Sequence, residues 1–270
     1  MPESLSTERA DYLRAGRRRK KLILSAQLLL LVFFFAQWEL TARLGWTDAF
    51  IVSCPSRVWA TLGALWRSGD LWRHVGVSCL ETAVGFGLGT VLGTLVAVGL
   101  WWSPAAAKIF DPYLVVLNAL PKTALGPIFI VWMGAGTGSI ITMTLAISIV
   151  VTILNMHVGF VGTDGEKIRL MRSMGARKGQ ILRMLVFPAN YATLFNTLRV
   201  NVGLSWVGVI MGEFLVSKAG LGYLIVYGSQ VFNMDLVMAT VLLLAAAAVL
   251  MYQGVVGVEK ILKNRLGVVE

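Results

Sequence analysis

The sequence predicts an all-α membrane protein with six transmembrane helices. Three observations support this prediction: 57% of the 270 residues are hydrophobic, only 14% are charged, and several uncharged runs are long enough to cross a bilayer. A soluble domain of this size carries about a quarter charged residues. A helix that rises about 1.5 Å per residue needs roughly 20 apolar residues to cross a hydrocarbon layer of about 30 Å. The composition therefore excludes an ordinary soluble fold.

The first two spans follow from apolar runs near the N-terminus. The first is predicted at 22–38, extendable to about residue 45, directly after the basic cluster at 17–21. No small-residue cleavage site follows it, so we interpret it as a retained helix rather than a signal peptide. The second is predicted at 82–102. The outer connection between them, 46–73, contains a stretch compatible with a helix at 58–66.

The uncharged segment at 123–163 is too long for one helix and predicts two spans with a tight connection. Glycines at 134–138 supply that turn, because glycine permits the backbone conformations that a sharp turn demands. The third helix is expected to begin near Lys108 and to break at Pro121, which has no N–H to donate. The fourth helix then ends near Thr163.

The fifth and sixth spans are predicted at 185–212 and 236–258, which puts both termini on one side of the membrane. Lys and Arg concentrate in the segments that would then lie inside. Those predicted outside are Arg43, Arg57, Arg67, Arg73 and Lys218. The positive-inside rule accordingly predicts cytoplasmic termini. It also explains the net charge of +10 without a nucleic-acid partner.

The inner connection at 162–183 has the pattern of a short amphipathic helix. One side of the predicted helix carries Ile168, Met171 and Met174, and the other side carries Arg169, Arg172 and Ser173. Gly175 is expected to end this helix in a left-handed conformation, and a second helix at 176–185 is interrupted by Pro188. Two interpretations are open. Either the helix rests on anionic lipid headgroups, or it docks a cytosolic partner.

Two stretches of this region resemble the cytoplasmic loop of binding-protein-dependent ABC importer permeases. The family pattern is Glu-Ala-Ala, three residues, Gly, nine residues, then Ile-x-Leu-Pro, and here 169–175 and 185–188 reproduce its glycine-to-proline spacing. Arg169 stands where the family usually has Glu, with Leu170 and Met171 in place of the alanines. The resemblance therefore locates the docking site and leaves its detailed contacts open.

Further stretches are similar to the nitrate/sulfonate/taurine branch of these permeases and occur in its order: 68–74, 85–89, 120–127, 132–136 and 220–223. The resemblance implies a type I ABC importer permease-like bundle in the bacterial inner membrane. It also implies a second permease subunit, identical or related, an extracytoplasmic substrate-binding protein and separate ABC ATPase subunits, with alternating access as the mechanism. The implied organisation is a basic cytoplasmic segment (1–21), a first helix with its outer loop (22–54), a permease core (55–265) and a tail (266–270).

The resemblance assigns ATPase coupling to residues in and beside the inner loop: Arg169, Arg172, Ser173, Met174, Gly175, Ala176, Arg177, Lys178 and Pro188. We expect 167–180 to sit in a groove of the ATPase with its basic side chains near carboxylates. The sequence has no Gly-x-x-x-x-Gly-Lys-Ser/Thr, so ATP and Mg²⁺ are expected on the partner. No cofactor, metal site or catalytic set is predicted, and the chain is not expected to be an enzyme by itself.

Candidate pathway or gate residues are Pro121, Lys122, Arg199, Glu213, Gly220 and Gly222. Lys122 either faces the pathway, where it would suit an anionic cargo, or snorkels or pairs with a carboxylate. Arg199, with Asn196, Asn201 and Glu213, either forms a structural network or faces the pathway. Broken helices such as that at Pro121 persist only where they are buried or line a cavity.

Small residues at a spacing of four, Gly85, Gly89 and Gly93, predict close helix packing inside the chain or, alternatively, a dimer interface or pathway wall. Glu39 and Glu81 are expected at the membrane interfaces. His157, Cys54 and Cys79 are expected to be packing residues.

An ion-coupled secondary transporter is the alternative function. It would favour internal repeats and several carboxylates at the midplane, which the sequence does not show. A membrane-embedded enzyme would need a catalytic set, which is also not apparent. The transported solute is left open.

Overall fold

The computed structural model describes residues 7–266, which fold into helices without any strand in that range. The helices are α1 (Thr7–Arg43), α2 (Ala49–Val52), α3 (Pro55–Ser68), α4 (Asp70–Trp102), α5 (Pro104–Ala119), α6 (Gly126–Met133), α7 (Thr137–Val161), α8 (Gly165–Ser173), α9 (Lys178–Ile181), α10 (Phe187–Ala189), α11 (Tyr191–Val216), α12 (Leu221–Gln230) and α13 (Met234–Leu266). A 3₁₀ turn (Lys122–Leu125) precedes α6, and a π-helical turn (Leu182–Val186) joins α9 to α10.

Five segments of the described chain are long and apolar enough to cross a membrane: Lys21–Arg43, Asp70–Trp102, Thr137–Val161, Tyr191–Val216 and Met234–Asn264. A sixth candidate is bent by 88° between Pro104–Ala119 and Lys122–Met133. The break falls at Leu120 and Pro121, where the sequence predicts it, because Pro121 has no N–H to continue the helix.

The glycine stripe of α4 fixes its position against α7. A Cβ atom on Gly85 would lie 2.5 Å from Thr144 Cγ2, and one on Gly93 would lie 2.6 Å from Thr152 Cβ. Between them, Gly89 would meet the side chain of Ser148. The contacts advance in the same direction along both helices, so α4 and α7 run parallel. This geometry agrees with close packing within the chain.

Parallel helices α4 and α7 require the segment between them to return across the bundle. The bent pair α5 and α6 therefore makes one crossing, which gives six crossings within residues 7–266. Helix α11 runs antiparallel to α7, since Gly208 lies against Thr144 and Gly212 lies against Ile140. The loop after α7 and the end of α13 consequently lie at one end of the bundle, and α12 lies at the other.

The predicted starting residues of two spans are wrong. The second span begins at Asp70 rather than 82, because α4 continues outward on the polar residues that pack against the segment after α11. The fifth span begins at Tyr191 rather than 185, because the chain kinks at Asn190, where φ is −105° and ψ is 15°. The helix predicted at 58–66 is confirmed as α3, with Pro55 in its first turn.

Candidate functional site

The loop between α7 and α11 begins with a capped helix. The Asp164 carboxylate accepts a hydrogen bond of 2.9 Å from the backbone N–H of Glu166. That hydrogen bond lowers the pKa of Asp164 below its usual value, because it favours the charged carboxylate. The helix ends as predicted at Gly175, whose φ of +83° lies in the left-handed region. Ala176 N–H then donates to Met171 C=O, which closes the cap.

The inner side of this loop packs on the ends of two spans. Ile168 and Met171 lie against a buried apolar cluster that includes Phe160 of α7 and Ala97 of α4. Ile181 and Val186, from the second half of the loop, complete that cluster and are 2% and 0% exposed. Interiors of this kind are close-packed and transmit displacement rather than absorb it. The loop is therefore joined firmly to α4 and α7.

The join between loop and α11 is a π-helical turn rather than the interruption at Pro188 that the sequence predicts. The N–H of Phe187 donates to Leu182 C=O, five residues earlier, and the chain continues helically through Pro188 to Ala189. Asn190 then donates to Val186 C=O at 2.8 Å and to Thr163 Oγ1 at 3.0 Å. The start of α11 is thus tied to the end of α7.

The outer side of the loop presents apolar side chains to its surroundings. Leu170 is 62% exposed and Met174 is 78% exposed, one helical turn apart. Met174 therefore does not share the buried face of Ile168 and Met171, contrary to the sequence pattern. Arg169, Arg172 and Ser173 are exposed beside them. An apolar pair bordered by arginines is typical of a surface that binds another protein.

Lys178 is engaged within the chain rather than free for a partner's carboxylates. Its Nζ donates to the Trp102 carbonyl at the end of α4 and lies 5.6 and 5.5 Å from the ring centroids of Trp101 and Trp102. A cation over an indole face is attracted by the ring quadrupole. Lys178 therefore fastens the loop to the second span, whereas Arg177 keeps an exposed side chain.

At the opposite end, Glu213 of α11 holds the segment that leads into α12. Its carboxylate accepts hydrogen bonds of 2.5 Å from Ser78 Oγ and from the N–H of Gly222. Glu213 is 1% exposed. Gly220 is required by its φ of +119°, and a Cβ there would collide with the Glu213 carboxyl group. Glu213, Gly220 and Gly222, predicted separately, are brought together.

Helix α4 supplies the other partners of this segment. His74 Nδ1 accepts a hydrogen bond of 2.9 Å from Gly220 N–H, and the His74 ring stacks on Tyr223 at 5.8 Å. Ser78 Oγ also accepts from Leu221 N–H at 2.7 Å. Glu81, predicted at a membrane interface, is 1% exposed and lies beside Glu213. Together these contacts form a buried polar centre, by which we mean His74, Ser78, Glu81, Glu213 and the backbone of 220–222.

Arg199 does not join Asn201 and Glu213 in one network. It forms an ion pair with Glu259 of α13, which also contacts Lys263 at 3.3 Å, and it donates to Asn196 at 3.3 Å. Asn201 instead donates to Thr152 Oγ1 on α7 at 2.6 Å. The reason is the helical spacing: Arg199 and Asn201, two residues apart, lie on different faces of α11, and Glu213 lies about 21 Å further along the helix than Arg199.

Lys122 lies at the bend between α5 and α6. Its Nζ donates to Asn118 C=O at 3.0 Å, a carbonyl left without a helical partner by the break at Pro121. The half-buried ammonium therefore supplies a hydrogen-bond donor to a backbone carbonyl at the helix break. No carboxylate of the described residues is paired with Lys122, and its position facing the pathway stays a prediction.

Sequence reasoning missed four functional candidates: His74, Ser78, Glu81 and Glu259. Polar residues at 74, 78 and 81, one turn apart, were the available signal on α4, because three such residues on one face of a membrane helix are expected to face protein. Glu259 carried no such signal, since it follows the last apolar run directly.

Comparison with known proteins identifies this architecture. Residues 89–268 match the family described as binding-protein-dependent transport system inner membrane component. The chain belongs to this family. Its relatives include the putative aliphatic sulfonates transport permease protein SsuC of Bacillus subtilis, 27% identical over 210 residues, 78% of this chain and 76% of that protein. The taurine transport system permease protein TauC of Escherichia coli is 25% identical over 70% of this chain and 69% of its own length.

A third relative of the permease is the formylaminopyrimidine transport permease protein ThiX of Halalkalibacterium halodurans, 26% identical over 83% of this chain and 89% of that protein. Among solved structures, an inward-facing MetNI methionine ABC transporter chain superposes with a TM-score of 0.62 at 20% identity, covering 72% of this chain and 96% of that one. The protein is thus an ABC importer permease of the nitrate/sulfonate/taurine branch with the type I fold. These matches give no support to the ion-coupled transporter.

Proposed function

We propose that the loop at 162–183 is the element through which an ABC ATPase moves this permease. The supporting observation is its two-sided construction. The inner side packs against α4 and α7 and is tied to α11, whereas the outer side exposes Leu170 and Met174 among arginines. A partner that grips the outer side would displace three spans together, because the packed inner side does not yield.

Membership of the family supports the remaining partners that we propose. A second permease subunit encloses the path, and an extracytoplasmic binding protein delivers the solute to the end that carries α12. ATP and Mg²⁺ belong to the ATPase, because the permease sequence has no phosphate-cradling loop of the Gly-x-x-x-x-Gly-Lys type. We place both termini in the cytoplasm of a bacterial cell, since Lys and Arg are concentrated in the segments at that end.

The buried polar centre is proposed to hold the outer gate in its closed position. It fixes the segment 220–222 to α4 and α11 through hydrogen bonds from backbone N–H groups. Such hydrogen bonds are directional, so the segment is either bound to α4 and α11 in this position or detached from them. Alternating access needs an outer element with two discrete positions.

The cargo is proposed to be a small organic molecule that carries an anionic group such as a sulfonate. Two relatives are named for aliphatic sulfonates and taurine. Lys122 places a cation at the broken helix of the third span, where non-helical backbone is tolerated beside protein or a water-filled cavity.

The test is co-purification of the permease with a candidate ABC ATPase from the same organism. Leu170→Ala combined with Met174→Ala removes the exposed apolar pair and is expected to reduce the bound ATPase by about tenfold or more, since interface anchors contribute about 1–2 kcal/mol each. The matched control is Ile261→Ala, another exposed apolar residue near the same end. Unchanged ATPase binding in the double variant would contradict the proposal.

A further inference from the structure

A basic groove lies between the end of α4 and the second half of the loop. It is an open groove of about 870 Å³ and is bordered by Trp102, Arg177, Lys178, Arg183 and Met184. Three of these side chains are cationic, and none of the residues that line the groove is acidic. Within residues 7–266, neither Arg177 nor Arg183 forms an ion pair, and both are exposed.

The position of the groove is that of a membrane surface. Trp102 is the last residue of the spanning helix α4 and is 46% exposed. Tryptophan is enriched where a helix leaves the hydrocarbon, because its ring is apolar and its N–H is polar. Met184, 68% exposed, adds a second apolar side chain to the border. One side of the groove is therefore suited to hydrocarbon and the other to an anion.

The cationic side of the groove is held in place by contacts within the permease. Lys178 is fixed between Trp101 and Trp102, and the backbone N–H of Arg177 is already bonded to Gln180 Oε1 at 2.7 Å. The two guanidinium groups are left to bind a ligand. A guanidinium presents two parallel N–H donors, the geometry that a phosphate oxygen pair accepts.

We propose that this basic groove binds the headgroup of an anionic phospholipid. Arg177 and Arg183 bind the phosphate, and Trp102 and Met184 contact the start of an acyl chain. The inference rests on the proposed orientation, which places the groove at the inner leaflet, where anionic lipid attracts basic residues. A lipid held there would brace the loop against the second span beside the surface that the ATPase grips.

The experiment is native mass spectrometry of the full-length permease with phosphatidylglycerol or phosphatidylcholine. The unaltered protein is expected to retain phosphatidylglycerol more strongly than phosphatidylcholine. Arg177→Gln with Arg183→Gln is expected to weaken phosphatidylglycerol binding by about 30-fold, since each basic residue near a lipid surface contributes about a factor of five. The matched control, Arg169→Gln with Arg172→Gln, removes the same charge from the outer side of α8 and is expected to change binding by less than about threefold, because neither arginine borders the groove.

A groove variant that keeps the preference would overturn the proposal, and so would an equal loss in both variants, which would indicate a diffuse basic surface. Displacement of the lipid by inorganic phosphate would show a free-anion site instead. If Arg177→Gln with Arg183→Gln lost the ATPase but kept the lipid, the groove would be part of the protein interface.

The variant Arg177→Lys with Arg183→Lys keeps both charges. It is a control that separates loss of lipid binding from misfolding in the glutamine variant. It is expected to keep the preference for phosphatidylglycerol while binding it somewhat more weakly, because lysine lacks the paired donors. Loss of the preference in this variant, with a normal elution profile, would also overturn the proposal. ATPase binding to Leu170→Ala with Met174→Ala is a separate readout, so failure of the coupling proposal leaves this test intact.

Discussion

The two ends of the bundle are held by different forces. At the loop end, apolar side chains such as Phe160 and Ile181 pack together, and the surface beyond them is exposed. At the outer end, the segment entering α12 is held by hydrogen bonds to His74, Ser78 and Glu213. Apolar packing transmits movement in any direction, whereas a hydrogen-bonded contact is either made or lost. The difference suits the first end to receiving a force and the second to switching.

The largest expected effect comes from a substitution that forces α4 and α7 apart, because these two helices contribute to both ends of the bundle. Gly89→Leu would drive a side chain into Ser148 and is expected to destabilise the protein by about 3 kcal/mol or more, because a packed core cannot admit the added volume. Thermal unfolding in detergent measures the loss. Gly87→Leu is the matched control, since Gly87 has open space at its Cβ and should change stability little.

The second prediction removes the acceptor at the outer end. Glu213→Ala leaves the N–H of Gly222 buried without its partner and is expected to cost about 3 kcal/mol, with loss of solute uptake. Glu213→Gln keeps one oxygen acceptor and is expected to cost about half as much. If Glu213→Ala unfolded at the temperature of the unaltered permease, the outer segment would not depend on this carboxylate.

These features differ in how far the sequence predicted them. The spans and the α4 glycine stripe follow from local patterns, because apolar length and a spacing of four are properties of one helix. The buried polar centre does not, since Ser78 and Glu213 are 135 positions apart and either alone is an ordinary polar residue. The same applies to Lys178, whose partners Trp101 and Trp102 lie on another helix.

A smaller effect is expected at the ion pair between α11 and α13. Arg199→Met leaves Glu259 with Lys263 alone and is expected to cost about 1–2 kcal/mol, because one charged partner remains. A double-mutant cycle with Glu259→Met isolates the pair. Additive losses would mean that Arg199 and Glu259 do not interact energetically.

The smallest expected effect on stability is at the end of α8. Gly175→Ala forces a side chain into a left-handed conformation, which costs about 1 kcal/mol, and should reduce ATP-driven uptake by shifting Met174. Gly165→Ala, in the first turn of the same helix, has open space and no positive φ, so it should leave uptake unchanged. Equal uptake in the two variants would contradict the proposal that uptake depends on the conformation of the loop at Gly175.

Uptake into vesicles that contain the permease, its ATPase and its binding protein tests the central claim most directly. We predict uptake that requires ATP and that falls sharply in the Leu170→Ala, Met174→Ala variant but not in Ile261→Ala. Accumulation of solute by the permease alone, driven by a proton or sodium gradient without nucleotide, would contradict the account.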